Sequence, residues 1–102
     1  MAARPTGIVV SNVLAAVGAM TAARAAGLRV PHDLSIVAVH DVFFAAHLSP
    51  PLTVVRMPLR ERGRRSVAAV LGQLASGPAR HEVIRRPPPE LLVRGSTAPP
   101  PG

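Results

Sequence analysis

Two pairs of polar residues follow short apolar runs and are the best candidates for contacts with a ligand. Ser11 and Asn12 end one run, GIVV, and His40 and Asp41 end another, LSIVAV. Their hydroxyl, amide, imidazole and carboxylate groups provide both hydrogen-bond donors and acceptors for a small polar molecule. The sequence therefore predicts a hydrogen-bonding ligand site if the fold brings the two pairs together.

The same residues do not match the pattern of a catalytic or metal centre. Adjacent strand residues point to opposite faces, so Asp41 is poorly placed to orient His40, and no G-x-S-x-G turn presents Ser11 as a nucleophile. The chain has no cysteine, and no second carboxylate lies near His40 to complete a metal site. We expect no enzymatic activity, no cofactor and no metal. Structural alternatives remain open, with Asn12 as a helix cap and His40 as an ordinary strand-end histidine.

A strand, a helix and a second strand are predicted to position the two pairs. Both apolar runs are continuous, as in buried parallel strands. Asn12 can cap a helix between them, in which Leu14, Val17 and Met20 recur at helical spacing and Gly27 supplies the C-cap. A βαβ unit makes its strands parallel, and open α/β sheets bind ligands at the carboxyl edge of the strands. The fold class is α/β, with the polar pairs at one sheet edge.

The second half of the chain predicts further strands around one more helix. Leu52–Met57 is a strand candidate, and Pro58 begins a helix that extends to Ala75. His81–Arg86 and Glu90–Arg94 are two short strand candidates on either side of three prolines. Ala98–Gly102 is expected to be a disordered, proline-rich tail.

The net charge of +7 suggests nucleic-acid binding, but the distribution of charge does not support it. All twelve basic residues are arginines, scattered except for Arg60, Arg62, Arg64 and Arg65, and two phenylalanines give no platform for stacking bases. That cluster indicates the solvated side of a helix, with Glu61 paired to Arg64 or Arg65. No apolar run approaches the roughly 20 residues of a membrane span, and no signal peptide is evident, so a cytoplasmic protein without membrane contact is expected.

Five segments, in order, resemble the lactose/galactose-repressor family of bacterial regulators. NVLAAVGAM, from Asn12, is similar to the family's N-D-x-x-A-x-G-A segment, and GLRVPHDLSIV, from Gly27, is similar to its G-L-x-V-P-x-D segment. Three later segments resemble other parts of the family pattern. PPLTVV resembles a crossover, Met57-Pro58 with Gly63 resembles a helix start, and LVRGST resembles the closing segment. The resemblance implies that residues 1–97 are the carboxy-terminal part of a type I periplasmic-binding-protein-like effector domain.

The resemblance implies a transcriptional regulator that senses a small polar effector, either a sugar or a nucleoside-like molecule. Asn12 stands where the family has an effector-binding Asn, His40 where it often has an effector-binding Asp, and Asp41 matches the acidic residue that follows. Ser11, beside Asn12, is included in the predicted site. The region of Val17 and of His47–Leu48 corresponds to the family's dimer surface, which implies an isologous homodimer. DNA would be contacted only through a helix-turn-helix, which we expect this chain to lack.

Two departures from the family pattern bear on the ligand. His40 in place of Asp removes an anionic acceptor for sugar hydroxyls, and Val13 replaces the usual Asp after Asn12. Phe43 and Phe44 are interpreted as packing under a loop, with a pocket wall or a dimer contact as the alternative. Two alternative functions are a solute-binding protein of a sugar transporter, which shares the fold, and a truncated product without independent function.

Overall fold

The structure is a computed structural model that describes residues 4–77 and 87–101. The chain divides into two compact units: the described residues up to Arg56 together with those from Glu90 onward, and the residues between them. The first unit contains the elements β1 (Gly7–Val10), α1 (Val13–Ala25), β2 (Ser35–Val39), a 3-10 helix (Ala45–His47), β3 (Thr53–Arg56) and β4 (Glu90–Leu92). The second contains α2 (Leu59–Ser76).

The first unit is built on a four-stranded sheet with the order β1-β2-β3-β4. β1 and β2 are parallel, with Val10 opposite Ala38, and β3 is parallel to β2. β4 runs antiparallel to β3, with Leu92 opposite Val54. The predicted βαβ unit is confirmed, because α1 connects two neighbouring parallel strands. The antiparallel direction of β4 was not predicted.

The core lies between α1 and the sheet, and it includes only part of the stripe predicted from helical spacing, with Met20 buried and Val17 packed against the core. The buried helix residues are Val13, Ala16, Met20 and Ala23, whereas Leu14 is 76% exposed. Leu14 therefore does not face the core, although it recurs at helical spacing with Val17 and Met20. Two of the four buried helix residues are alanines. The complete buried apolar set is Val13, Ala16, Met20, Ala23, Leu34, Ile36, Ala38, Ala45, Leu52 and Val54.

Both ends of α1 follow the predicted caps. The Asn12 side chain accepts a hydrogen bond of 2.8 Å from the Ala15 backbone N–H, which satisfies one of the free donors of the first turn. At the other end Gly27 has a φ of 76°, a left-handed conformation that glycine adopts without strain. The Leu28 N–H then donates to the Ala23 carbonyl at 2.8 Å. These caps fix where the helix starts and therefore where Asn12 lies.

Ser96 holds the closing segment of the chain against two strands. Its hydroxyl donates to the Ile36 carbonyl at 2.6 Å and accepts from the Thr53 N–H at 2.8 Å, and it is completely buried. The Ile36 N–H in turn donates to the Ser96 carbonyl. Ala98 exchanges two hydrogen bonds with the Ser35 hydroxyl, so these contacts extend one residue past the predicted boundary at residue 97.

The second unit contributes α2, an amphipathic helix with no buried residue. Pro58 is its N-cap rather than its first helical residue. The predicted local pairing of Glu61 is confirmed, since it accepts hydrogen bonds from both Arg64 and Arg65, which lower the pKa of Glu61 to about 2. The apolar stripe of α2 is exposed along its length, at Leu59, Val67, Val70, Leu71 and Leu74. The strand candidate at His81–Arg86 lies outside the described residues.

No helix within residues 4–77 and 87–101 is long and apolar enough to cross a membrane.

Candidate functional site

The carboxyl ends of β1 and β2 meet at a pocket of about 250 Å³. β1 ends at Val10 and β2 at Val39, and their parallel pairing places the residues after each strand at the same edge of the sheet. The pocket is lined by Asn12, Val13, Leu14, His40, Val42 and Phe44. The structure thus brings together one residue from each of the two polar pairs, Asn12 and His40, between apolar walls.

Asn12 has a fixed orientation at this pocket because its amide caps α1. The Oδ1 atom accepts from the Ala15 N–H at 2.8 Å, so the amide nitrogen Nδ2 must lie on the other side of the side chain. Nδ2 makes only one long hydrogen bond, 3.4 Å, to the Ser11 hydroxyl. The cap and a ligand contact are therefore compatible roles for Asn12, one for each half of the amide.

His40 combines backbone strain with an unpaired ring nitrogen. Its φ of 70° is the one left-handed non-glycine conformation among the described residues. Its backbone N–H donates to the Val55 carbonyl at 2.8 Å, which holds the chain in this turn beside β3. The Nδ1 atom is buried and has no hydrogen-bond partner. Strained residues of this kind are concentrated at binding and catalytic sites, because elsewhere an unstrained residue is more stable.

Asp41 is engaged in an ion-pair cluster and does not line the pocket. Its two carboxylate oxygens accept hydrogen bonds of 3.2 Å from the two terminal nitrogens of Arg94, and Oδ2 also accepts one from Arg56 at 3.2 Å. Hydrogen bonds from Arg94 and then Arg56 hold the pKa of Asp41 below its usual value, against the opposing effect of burial. Arg94 also donates to the Leu52 carbonyl at 3.1 Å. Asp41 therefore joins the end of β2 to β3 and β4.

Sequence reasoning did not identify Arg56 and Arg94 as partners of a predicted site residue. Arg94 is 53 positions away from Asp41, and no local pattern links the two. Ser11 lies next to the Asn12 amide but outside the lining of the pocket. Of the four residues predicted to bind a ligand, two line the pocket and two lie beside it.

The two phenylalanines have different environments. Phe44 forms part of the pocket wall. Phe43 is 89% exposed and packs edge-on against the Phe44 ring, with the two ring centroids 5.3 Å apart. The open alternative of a pocket wall therefore applies to Phe44. No group of three histidines, aspartates or glutamates in the described part of the chain is arranged to hold a metal ion.

A second surface brings together residues of the predicted dimer contact. Val17 on α1 and Leu48 after the 3-10 helix line a groove of about 190 Å³, with Met20, Thr21, Arg24 and Ser49. His47 ends the 3-10 helix and is exposed. The groove and the ligand pocket therefore use different residues of the same unit.

A pocket at the carboxyl edge of parallel strands lies where open α/β sheets commonly bind small molecules. Residues 1–97 match the family model of the periplasmic binding protein-like domain, so the chain belongs to that family. Its relatives carry this domain within transcriptional regulators of the LacI family.

Three of these relatives illustrate the match. The chain is 43% identical over 98 residues to the HTH-type transcriptional regulator MalR of Streptomyces coelicolor, covering 95% of this chain and 28% of MalR. It is 44% identical to a LacI family regulator from Mycobacterium smegmatis, with a TM-score of 0.88 over 94% of this chain and 34% of that one. A LacI family regulator from Arthrobacter, solved in complex with lactose, is 28% identical with a TM-score of 0.69, over 91% of this chain and 35% of that one. The chain thus spans about a third or less of each relative.

Proposed function

We propose that this chain forms one wall of an effector-binding cleft in a transcriptional regulator of the LacI family. The observation that carries the proposal is the pocket at the carboxyl edge, which Asn12 and His40 line together with apolar side chains. A few polar groups in a mostly apolar pocket are typical of small-molecule sites. The lactose bound to the Arthrobacter relative supports a small polar effector of the sugar or nucleoside-like class.

The regulator performs no chemistry in this proposal. An effector that binds one conformation of the protein more tightly shifts the population toward that conformation, and the shift changes the affinity for DNA. DNA is contacted by a helix-turn-helix outside these 102 residues, in the cytoplasm. Two copies associate through the surface of Val17, His47 and Leu48 as an isologous homodimer.

The choice of a regulator over a transporter's solute-binding protein rests on the relatives. MalR and the Mycobacterium smegmatis protein are both described as transcriptional regulators, and each is more than 40% identical to this chain. A solute-binding protein shares the fold but has no DNA-binding partner domain. The nucleotide sequence upstream of Met1 separates the two, because an in-frame helix-turn-helix supports the regulator and a signal sequence contradicts it.

The pocket itself is tested by titrating the ¹⁵N-labelled chain with sugars and nucleosides and following amide chemical shifts. We expect weak binding, with shifts confined to Asn12–Leu14 and residues 40–44, because the opposite wall of the cleft is not part of this chain. Calorimetry is expected to detect no micromolar binding, for the same reason. Micromolar affinity would show that this wall is a complete site.

A matched pair of variants checks the location. Val42→Phe fills the pocket and is expected to abolish the shifts, whereas Val9→Phe places the same ring on an exposed position of β1, outside the pocket, and leaves them unchanged. Equal loss in both variants, or shifts centred on the Val17 groove, would contradict the proposal.

A further inference from the structure

We infer that the pocket at the carboxyl ends of β1 and β2 receives an apolar ring of the effector, aliphatic or aromatic, and not a part of the ligand that carries hydroxyl groups. The inference rests on the proposed function, because it concerns the same pocket and names the chemistry of the group that enters it. It follows from the nature of the pocket surface, the exposure of its apolar residues and its volume.

The surface of the pocket is almost entirely apolar. Asn12 and His40 belong to the lining, but the Asn12 Oδ1 atom is used in the cap on the Ala15 N–H, and the His40 Nδ1 atom is buried. These two residues therefore offer the pocket mainly the carbon atoms of their side chains. The other lining residues are all apolar: Val13, Leu14, Val42 and Phe44.

The pocket lacks the groups that would bind the hydroxyls of a sugar. No residue of the lining carries a carboxylate or a hydroxyl group. Asp41, which follows His40 in the chain, does not line the pocket, and its carboxylate accepts hydrogen bonds from Arg94 and Arg56. Hydroxyl groups that entered the pocket would lose their hydrogen bonds to water and find few partners, which is costly.

Leu14 and Val42 are apolar side chains of the pocket that remain exposed to solvent, by 76% and 38%. Leu14 does not face the core, so packing within this unit does not explain a leucine at this position. Exposed apolar residues around one concave site are typical of a binding surface. Because the site lies at the carboxyl ends of parallel strands, where open α/β sheets bind small molecules, its position favours a ligand as the occupant.

The volume of the pocket, about 250 Å³, suits a single ring. An apolar cavity of about 150 Å³ is large enough to hold benzene. Phe44 adds an aromatic wall against which a ring can pack. The pocket therefore accommodates a six-membered ring with a small substituent, while the polar part of the effector stays outside this wall.

Cyclohexanol and myo-inositol test the inference in the amide-shift titration, because both are uncharged and share a six-carbon ring. Every ring carbon of inositol carries a hydroxyl, so any part of it that enters the pocket brings a hydroxyl along, whereas cyclohexanol can keep its single hydroxyl in water. We expect cyclohexanol to shift Asn12–Leu14 and residues 40–44 with an affinity at least about fivefold higher than that of inositol, since one unpaired hydroxyl is enough for such a difference.

The variant Leu14→Ala removes part of the apolar wall and is expected to weaken the binding of cyclohexanol by at least about threefold. Leu14 is largely exposed and alanine favours the helix, so the variant should retain its fold. Leu74→Ala makes the same change at an 80% exposed helix residue outside the pocket and should leave the affinity unchanged.

The outcomes distinguish the two proposals. If inositol shifts the pocket residues at the same or a lower concentration than cyclohexanol, the inference is wrong and the pocket remains a candidate effector site. Equal weakening in both variants, or shifts by cyclohexanol only at other surfaces, would also overturn the inference. If the pocket amides shift when the chain is diluted without any probe, a second copy fills the pocket and the inference fails. If neither probe shifts these residues, the inference fails, and the titration with sugars and nucleosides decides the proposed function.

Discussion

Arg94 and Asp41 form a bidentate ion pair, in which each terminal guanidinium nitrogen lies 3.2 Å from a different carboxylate oxygen. Both side chains are mostly buried, with about a fifth or less of each exposed. The pair joins the turn after β2 to the segment after β4. β4 and β2 are not neighbours in the sheet, and this contact adds a side-chain link to the backbone hydrogen bond from the Ile36 N–H to the Ser96 carbonyl.

We predict that this pair makes stability depend on acid pH. The arginines hold the pKa of Asp41 below its value of about 3.9 in an unfolded chain. The unfolded state therefore takes up the proton first as the pH falls, so the contribution of Asp41 is complete above that value and is lost as the pH falls through the lower folded pKa. Urea unfolding should show a smaller decrease in stability between about pH 6 and pH 3 for Asp41→Asn than for the wild type. If the free energies of unfolding of the wild type and of Asp41→Asn decrease by the same amount over this pH range, the ion pair does not have this role.

Ser96→Ala is expected to lower the free energy of unfolding by about 1–3 kcal/mol. The substitution removes the donor to the Ile36 carbonyl and leaves the buried N–H of Thr53 without its acceptor. Ser66→Ala is a suitable control, because Ser66 bonds only to a carbonyl of its own helix at an exposed position. A change in Ser96→Ala no larger than that of the control, measured by urea unfolding, would show that the Ser96 contacts do not stabilise the sheet.

His40→Gly is expected to be more stable than His40→Ala by about 1 kcal/mol. Both variants remove the imidazole with its buried Nδ1, but only glycine adopts a φ of 70° without strain. The difference between their thermal unfolding free energies therefore isolates the strain in the backbone. Equal stability of the two variants would mean that the positive φ at position 40 does not lower the free energy of unfolding.

Asn12→Ala should destabilise the protein by about 1 kcal/mol, and Asn12→Asp should not, because aspartate also accepts from the Ala15 N–H. Urea unfolding measures the free energy of unfolding of the two variants. A loss in Asn12→Asp as large as that in Asn12→Ala would contradict the role of Asn12 as a cap.

The exposed stripe on α2 predicts either low stability or self-association of the isolated chain. Leu71 and Leu74 are 59% and 80% exposed, and an apolar patch of this kind promotes association. Sedimentation velocity should detect association that weakens in the double variant Leu71→Gln, Leu74→Gln. Val93→Gln, at an exposed apolar residue outside α2, serves as the control. A monomer with a cooperative melt above about 60 °C would contradict this prediction.

The βαβ arrangement and the meeting of Asn12 with His40 could be predicted because they depend on local signals. Continuous apolar runs indicate buried parallel strands, and Asn12 and Gly27 mark the ends of the helix between them. The parallel pairing then follows from the geometry of the crossover. Sequence alone therefore predicted that the residues after β1 and β2 lie at the same edge of the sheet.

Other features depend on contacts that no short segment encodes. The pairing of Asp41 with Arg94 joins residues from distant parts of the chain, and the left-handed turn at His40 is held by the Val55 carbonyl of another strand. Helical spacing gave only part of the buried face of α1, because Met20 is buried whereas Leu14 is exposed and the less hydrophobic Ala16 and Ala23 face the core. The ligand role of all four polar residues stays a prediction.

The two edge strands of the sheet, β1 and β4, differ in how readily a further strand can pair with them. Within the described residues β1 pairs only with β2, so the backbone N–H and C=O groups on its outer side have no strand partner. Gly7–Val10 contains neither a charged residue nor a proline, the residue types that hinder pairing with another strand. At the opposite margin β4 is three residues long and follows Pro87, Pro88 and Pro89, which have no N–H to donate. Another strand can therefore pair with β1 more readily than with β4.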